Sequence, residues 1–172
     1  MLLETHARLL LVVHALLGGT LVALTTHHLV WIIRSRGTRR TGEPRFAFLA
    51  SLFFCLAFAL GSLVYPTYRV RVRAELLDAP AAIAREVGAR VTRTPSLSPP
   101  RVARLFDVKE HLVALGLLSS LALFWLSRRT SPTDPDARLL YVALGTFCCA
   151  TTWCGIVLGL YTASIRAVGG FG

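Results

Sequence analysis

Two of the five histidines stand where a membrane protein would need a reason to keep them. His14 lies inside Leu9–Ile33, LLLVVHALLGGTLVALTTHHLVWII, 25 residues with no side chain firmly charged at neutral pH. His111 follows Lys109 and Glu110 at the start of another apolar run. A neutral imidazole is a common axial ligand of haem iron. Ionisable residues within a membrane mark functional sites by default. Arg69, Arg71 and Arg73 alternate with valine in TYRVRVR and would offer cations to haem propionates. Three readings are open. His14 and His111 hold a b-type haem, with the three arginines on its carboxylates. Alternatively His14, Glu110 and His111 handle protons or a metal ion. In the third, they do no chemistry: His14 hydrogen-bonds a neighbouring helix, and Asp107-Val-Lys-Glu110 is a capping box opening a helix.

Positioning these residues is the work of four apolar segments. The chain has 172 residues, 54% of them hydrophobic and only 16% charged, with the charges clustered between long apolar runs. Roughly 20 apolar residues cross the ~30 Å hydrocarbon layer. Spans are expected at about 9–33, 46–65, 108–126 and 139–165, with a partly helical polar cap at 67–107. The fold class is all-α, a four-transmembrane-helix up-down bundle forming one integral membrane domain over 1–172. Within the cap, the Arg/Val alternation has the period of a short strand, though a helical continuation fits equally. Asp78-Ala-Pro80 reads as a cap and first turn of a helix to about Val91. Ser98-Pro99 opens another that runs into the third span. Glu4 and Arg8 precede the first run, which exceeds the 7–15 residues of a signal h-region, so it is expected to remain as a span.

The spans set the depth of the candidates. With spans one and three running in the same direction, His14 and His111 lie roughly 5–8 Å below their starts at 1.5 Å per residue. His27 and His28 lie near Arg34 and read as interfacial. His14 and His28 are 14 apart, close to four turns, which is similar to the histidine spacing of di-haem membrane cytochromes b. That likeness implies one haem at most, since His28, at the inner end of its span, has no histidine partner in spans two, three or four, where the one histidine, His111, lies toward the outer side.

Other features narrow the classes. A net charge of +10 would suggest nucleic acid in a soluble protein. Here arginine flanks spans, so lipid head groups are the expected partners and nucleic acid is not. Cys55, Cys148, Cys149 and Cys154 all lie in apolar runs with no C-x-x-C, and read as small hydrophobes rather than redox or copper ligands. Gly18-Gly19, Ala57-x-x-x-Gly61 and Gly155-x-x-x-Gly159 offer small-residue faces where a helix packs closely. The last is expected to bind another membrane subunit. No Walker loop, HExxH or G-x-S-x-G occurs, so no reaction is named. Loop 34–45 carries five Arg and loop 128–138 three, which puts both in the cytoplasm and the termini outside. Segment 67–107 has eight Arg but also four acids and greater length, which weakens its vote.

Tyr65-Pro-Thr-Tyr-Arg-Val-Arg-Val-Arg73 and Leu105-Phe-Asp-Val-Lys-Glu-His111 resemble tracts of an uncharacterised bacterial multi-span membrane protein family. The likeness covers about a tenth of the chain and implies no known activity. It implies that the two tracts belong to one site. The expectation is a small subunit of the bacterial cytoplasmic membrane with an outer-side polar site of His14, Arg69, Arg71, Arg73, Glu110 and His111. Haem b would make it an electron carrier. The alternatives are a non-catalytic assembly subunit and a small metal- or proton-handling transporter.

Overall fold

The computed structural model describes residues 6–34, 43–68 and 99–168. They form four helices: α1 (Ala7–Arg34), α2 (Glu43–Tyr68), α3 (Pro99–Ser127) and α4 (Pro135–Val168). There is no strand among the described residues. Each helix contains a segment long and apolar enough to cross a membrane. Each packs on two neighbours, α1 on α2 and α4, and α3 on α2 and α4, so the four close a ring in chain order. The diagonal pairs do not approach backbone to backbone among the described residues. The expected all-α four-helix bundle is what forms.

The bundle is apolar outside and partly polar inside. Only 17% of the apolar window of α1 and 33% of that of α4 is buried against other helices. Leu16, Leu118 and Leu139 point outward, each more than 60% exposed. Lipid supplies the missing apolar contact, because nothing in the hydrocarbon layer drives leucine inward. Inside are Thr25, His28, Ser51, Ser120, Thr151 and Thr152. The Thr25 and Thr152 hydroxyls meet at 2.9 Å between α1 and α4. Ser51 donates to the Ser120 carbonyl at 2.8 Å between α2 and α3. Hydroxyls that also bond their own helix, as Thr25 and Thr152 do, let backbones approach without orphaned groups.

Proline and acid residues explain where helices start. Asp134 caps α4: its carboxylate accepts the Asp136 N–H at 3.1 Å and its carbonyl accepts from Arg138 at 2.9 Å. This cap, with Pro135 in the first turn, starts the helix four residues before the expected Leu139. α2 begins at Glu43 rather than Phe46, with Pro44 in its first turn and an acid at the positive end of the helix. The loop expected to reach residue 45 therefore ends earlier. α3 begins at Pro99, as the Ser98-Pro99 reading expects, and runs unbroken through the third span. Asp107 is thus well inside the helix, and the capping-box reading of Asp107 and Glu110 is overturned. The expected strand or helix between residues 69 and 91 and the linker after it lie outside the described residues.

Three packing expectations change. Gly155 and Gly159 do not present a free face. A Cβ at Gly155 would stand 3.4 Å from Val113, and one at Gly159 3.5 Å from the Lys109 ammonium, so this face packs on α3. Gly18 and Gly19 have nothing within 4 Å, so no backbone is drawn in there. His28 is 2% exposed, not interfacial. It shares a helix face with Thr25 and Ile32, three and four residues away, and Phe46 covers its ring at 6.2 Å between centroids. His27, on the adjoining face, is exposed.

A layer of Leu21, Phe54 and Cys148 separates the two ends of the bundle. Next to it Gly116 admits the Phe54 ring and the Thr151 hydroxyl; a Cβ there would lie 2.9 Å from the ring and 2.5 Å from the hydroxyl.

Candidate functional site

A cavity of about 410 Å³ opens at the end of the bundle that holds the start of α1 and the end of α2. Leu11 and His14 line it from α1, Ala57, Phe58, Gly61, Ser62, Val64 and Tyr65 from α2, and Lys109, Glu110, His111, Val113 and Ala114 from α3. His14, Glu110 and His111, singled out on sequence, thus border one space. His14 lies five residues after Leu9 and His111 four after Asp107, the starts of their spans, which is roughly 6–8 Å at 1.5 Å per residue.

His14 reaches from α1 toward α2. Its Cε1 would be 3.3 Å from a Cβ at Gly61, so glycine leaves the room that the imidazole fills. Its Nδ1 is buried and, among the described residues, meets no hydrogen-bond partner at full geometry, although the Ala57 backbone lies within reach of the ring. Such an atom is costly unless something completes it. His111 differs. It is exposed at the rim, and its Nδ1 donates to the Asp107 carbonyl one turn back at 2.7 Å. That bond fixes the tautomer and leaves Nε2 as a lone-pair donor, the arrangement by which proteins orient metal-ligating imidazoles.

Lys109, the one lysine of the chain, turns inward. Its ammonium stands near Gly159 of α4 and near His14 of α1. Two positions along a helix are about 200° of rotation, so Lys109 and His111 leave α3 on nearly opposite sides. His14 and Lys109 form the back of the cavity, and His111 its rim.

The residues fit part of what a b-type haem requires. There is an apolar slot between α2 and α3, an imidazole at the rim whose Nδ1 is committed to its own helix, and a second imidazole at the back. The volume is within the range of about 300–1,000 Å³ usual for small-molecule sites. Among the described residues no group of three His, Cys, Asp or Glu side chains stands together. Arg69, Arg71 and Arg73 lie outside the described residues. All four cysteines are free: Cys148 is buried, Cys149 half-buried, Cys55 and Cys154 exposed.

Sequence reading placed Lys109 at the start of the site's second wall, as found, but missed the opposite end of the bundle. There Glu43 is 3% exposed, and Tyr141 is fully buried. The Tyr141 hydroxyl stands beside the Glu43 carboxyl and donates to the Thr130 carbonyl at 3.1 Å. Oε1 of Glu43 and Nε2 of His28 are both buried, and neither has a hydrogen-bond partner among the described residues. Glu43 is the one acid of the Arg-rich stretch 34–45, and Pro44 after it was the available signal of a helix start.

No family model matches this chain, and neither a curated protein nor a solved structure matches it.

Proposed function

We propose that the protein is a small polytopic subunit of the bacterial cytoplasmic membrane that holds a b-type haem in the α1–α2–α3 cavity and passes electrons to a partner complex. The observation that carries this reading is the shared cavity. It has His14 at the back, its Nδ1 without a full-geometry partner among the described residues, and His111 with its Nδ1 committed at the rim. When bound, haem supplies reversible one-electron chemistry at a potential set by its axial ligands and surroundings. The chain's own part is to orient and to exclude water. The Asp107 carbonyl holds the His111 ring, and Gly61 leaves space for the His14 ring. Phe58, Val64 and Val113 line the apolar walls. Arg69, Arg71 and Arg73, just beyond the end of α2 in sequence, belong to this reading as carboxylate partners.

The two tracts on which the family likeness rests meet at this cavity through Tyr65, Lys109, Glu110 and His111, which supports treating them as one site. The positive-inside rule supports a cytoplasmic position for loops 34–45 and 128–138 and an outer position for the cavity and both termini. The assembly-subunit alternative loses its main argument, because Gly155 and Gly159 already pack on α3.

The test is a reduced-minus-oxidised absorption spectrum of full-length protein purified from cells with ample haem. A Soret shift with an α-band is expected. A flat difference spectrum overturns the haem reading.

A further inference from the structure

The opposite end of the bundle has polar groups that the cavity does not use. Glu43 is 3% exposed at the start of α2, packed toward α4. Among the described residues, nothing hydrogen-bonds its Oε1. Its neighbour is the Tyr141 hydroxyl, whose single proton goes to the Thr130 carbonyl at 3.1 Å. One helical turn deeper than Ile32, which packs on Tyr141, lies His28, 2% exposed, with Nε2 also unpartnered. A buried ionised carboxylate with one oxygen unpartnered is a costly arrangement, even with the Tyr141 hydroxyl beside it. The same group carrying a proton asks far less of its surroundings.

We infer that Glu43 and Tyr141 form a second site, distinct from the cavity and independent of what the cavity binds, that takes up and releases a proton. At rest the Glu43 carboxyl carries the proton, and Tyr141 serves the Thr130 carbonyl. On release, the O–H bond of the carboxyl breaks and water at the α1–α2 loop side accepts the proton. The Tyr141 hydroxyl then swings from the Thr130 carbonyl to the carboxylate oxygen it already stands beside. On uptake both movements reverse, and no other atom or electron is exchanged. Among the described residues, these charged and titratable groups bear on the pair. Asp134, in the connection before α4, acts on Tyr141. Arg138 of α4 is directed to the Ile33 carbonyl at 3.5 Å. His27 of α1 lies beside His28 and against Phe46 at 5.2 Å. None of these supplies the donor that Oε1 lacks.

The experiment is labelling of full-length protein in lipid vesicles with dicyclohexylcarbodiimide, an apolar reagent that adds to protonated carboxyls, followed by peptide mass mapping. At pH 7 labelling of Glu43 is expected to exceed that of exposed Asp136 at least tenfold, and to fade as pH rises. Infrared spectra of the same vesicles are expected to show a carboxylic-acid C=O band that shifts in D2O and vanishes in E43Q. In Y141F the labelling should persist about one to two pH units higher, since the anion loses a charge-assisted hydrogen bond of about 1.5–3 kcal/mol. If E43Q fails to fold, wild-type labelling and the D2O shift decide alone. Absence of both, or a C=O band that does not exchange, overturns the proposal. Identical pH profiles in wild type and Y141F overturn the role of Tyr141.

Discussion

The two ends of the bundle use the same helices for opposite purposes. At the loop end Ile32, Leu123, Leu126, Ala137 and Tyr141 close a packed core, with Ile32 and Tyr141 fully buried. Asp134 caps α4, and the Tyr141 hydroxyl ties that helix to the end of α3. Arg129 lies over the Trp125 ring at 4.6 Å, an aromatic–cation pair suited to the membrane interface. At the cavity end, glycine replaces bulk at Gly61 and Gly159, and the space is taken by His14 and by the Lys109 side chain. A groove remains between α2 and α3. The difference teaches where a ligand has room. Four similar spans give a site at one end because small residues and long polar ones are concentrated there.

The sharpest way to break the comparison is to remove the layer that separates the ends. Phe54 is 1% exposed in that layer. Phe54→Ala should cost about 3–5 kcal/mol, the usual range for deleting a buried aromatic, read as loss of thermal stability in detergent. Gly116→Ala comes next, at about 1–3 kcal/mol of overpacking. The new methyl would sit against Phe54 and Thr151, and it would narrow nothing in the cavity. At the loop end, Tyr141→Phe should cost about 1 kcal/mol for one hydrogen bond, while His111→Gln at the other end leaves stability unchanged. Gly19→Ala, in open space on α1, should stabilise by about 0.5–1 kcal/mol through helix propensity alone. Smallest is His111→Ala. Its ring is exposed and bonds only its own helix, so stability should change by less than about 0.5 kcal/mol while the ligand signal disappears. A large unfolding cost there would mean that the rim is structural, and the contrast between the ends would fail.

Much of this architecture is readable in the chain because lipid-facing spans need unbroken apolar runs, and charges are confined between them. The expectation of like depth for His14 and His111 rests on the same fact. What could not be read is rotation. All four spans are apolar on every side, so the sequence pattern has little to say about which face turns inward. That is why Gly155-x-x-x-Gly159 reads as a surface for a partner and instead packs on Val113 and Lys109. It is also why His28 reads as interfacial although Phe46 buries it. Helix starts were hidden for a different reason. Pro44 and Pro135 look like loop residues, yet proline is well suited to a first helical turn. Glu43 was therefore counted with its arginine neighbours.

The most direct measurement is the haem-to-protein ratio of the purified full-length chain and of His14→Ala and His111→Ala, each from cells with ample haem. The account predicts a ratio near one for the wild type and near zero for both variants, with all three still folded. A wild-type ratio near zero, or a ratio that neither substitution lowers, would contradict it.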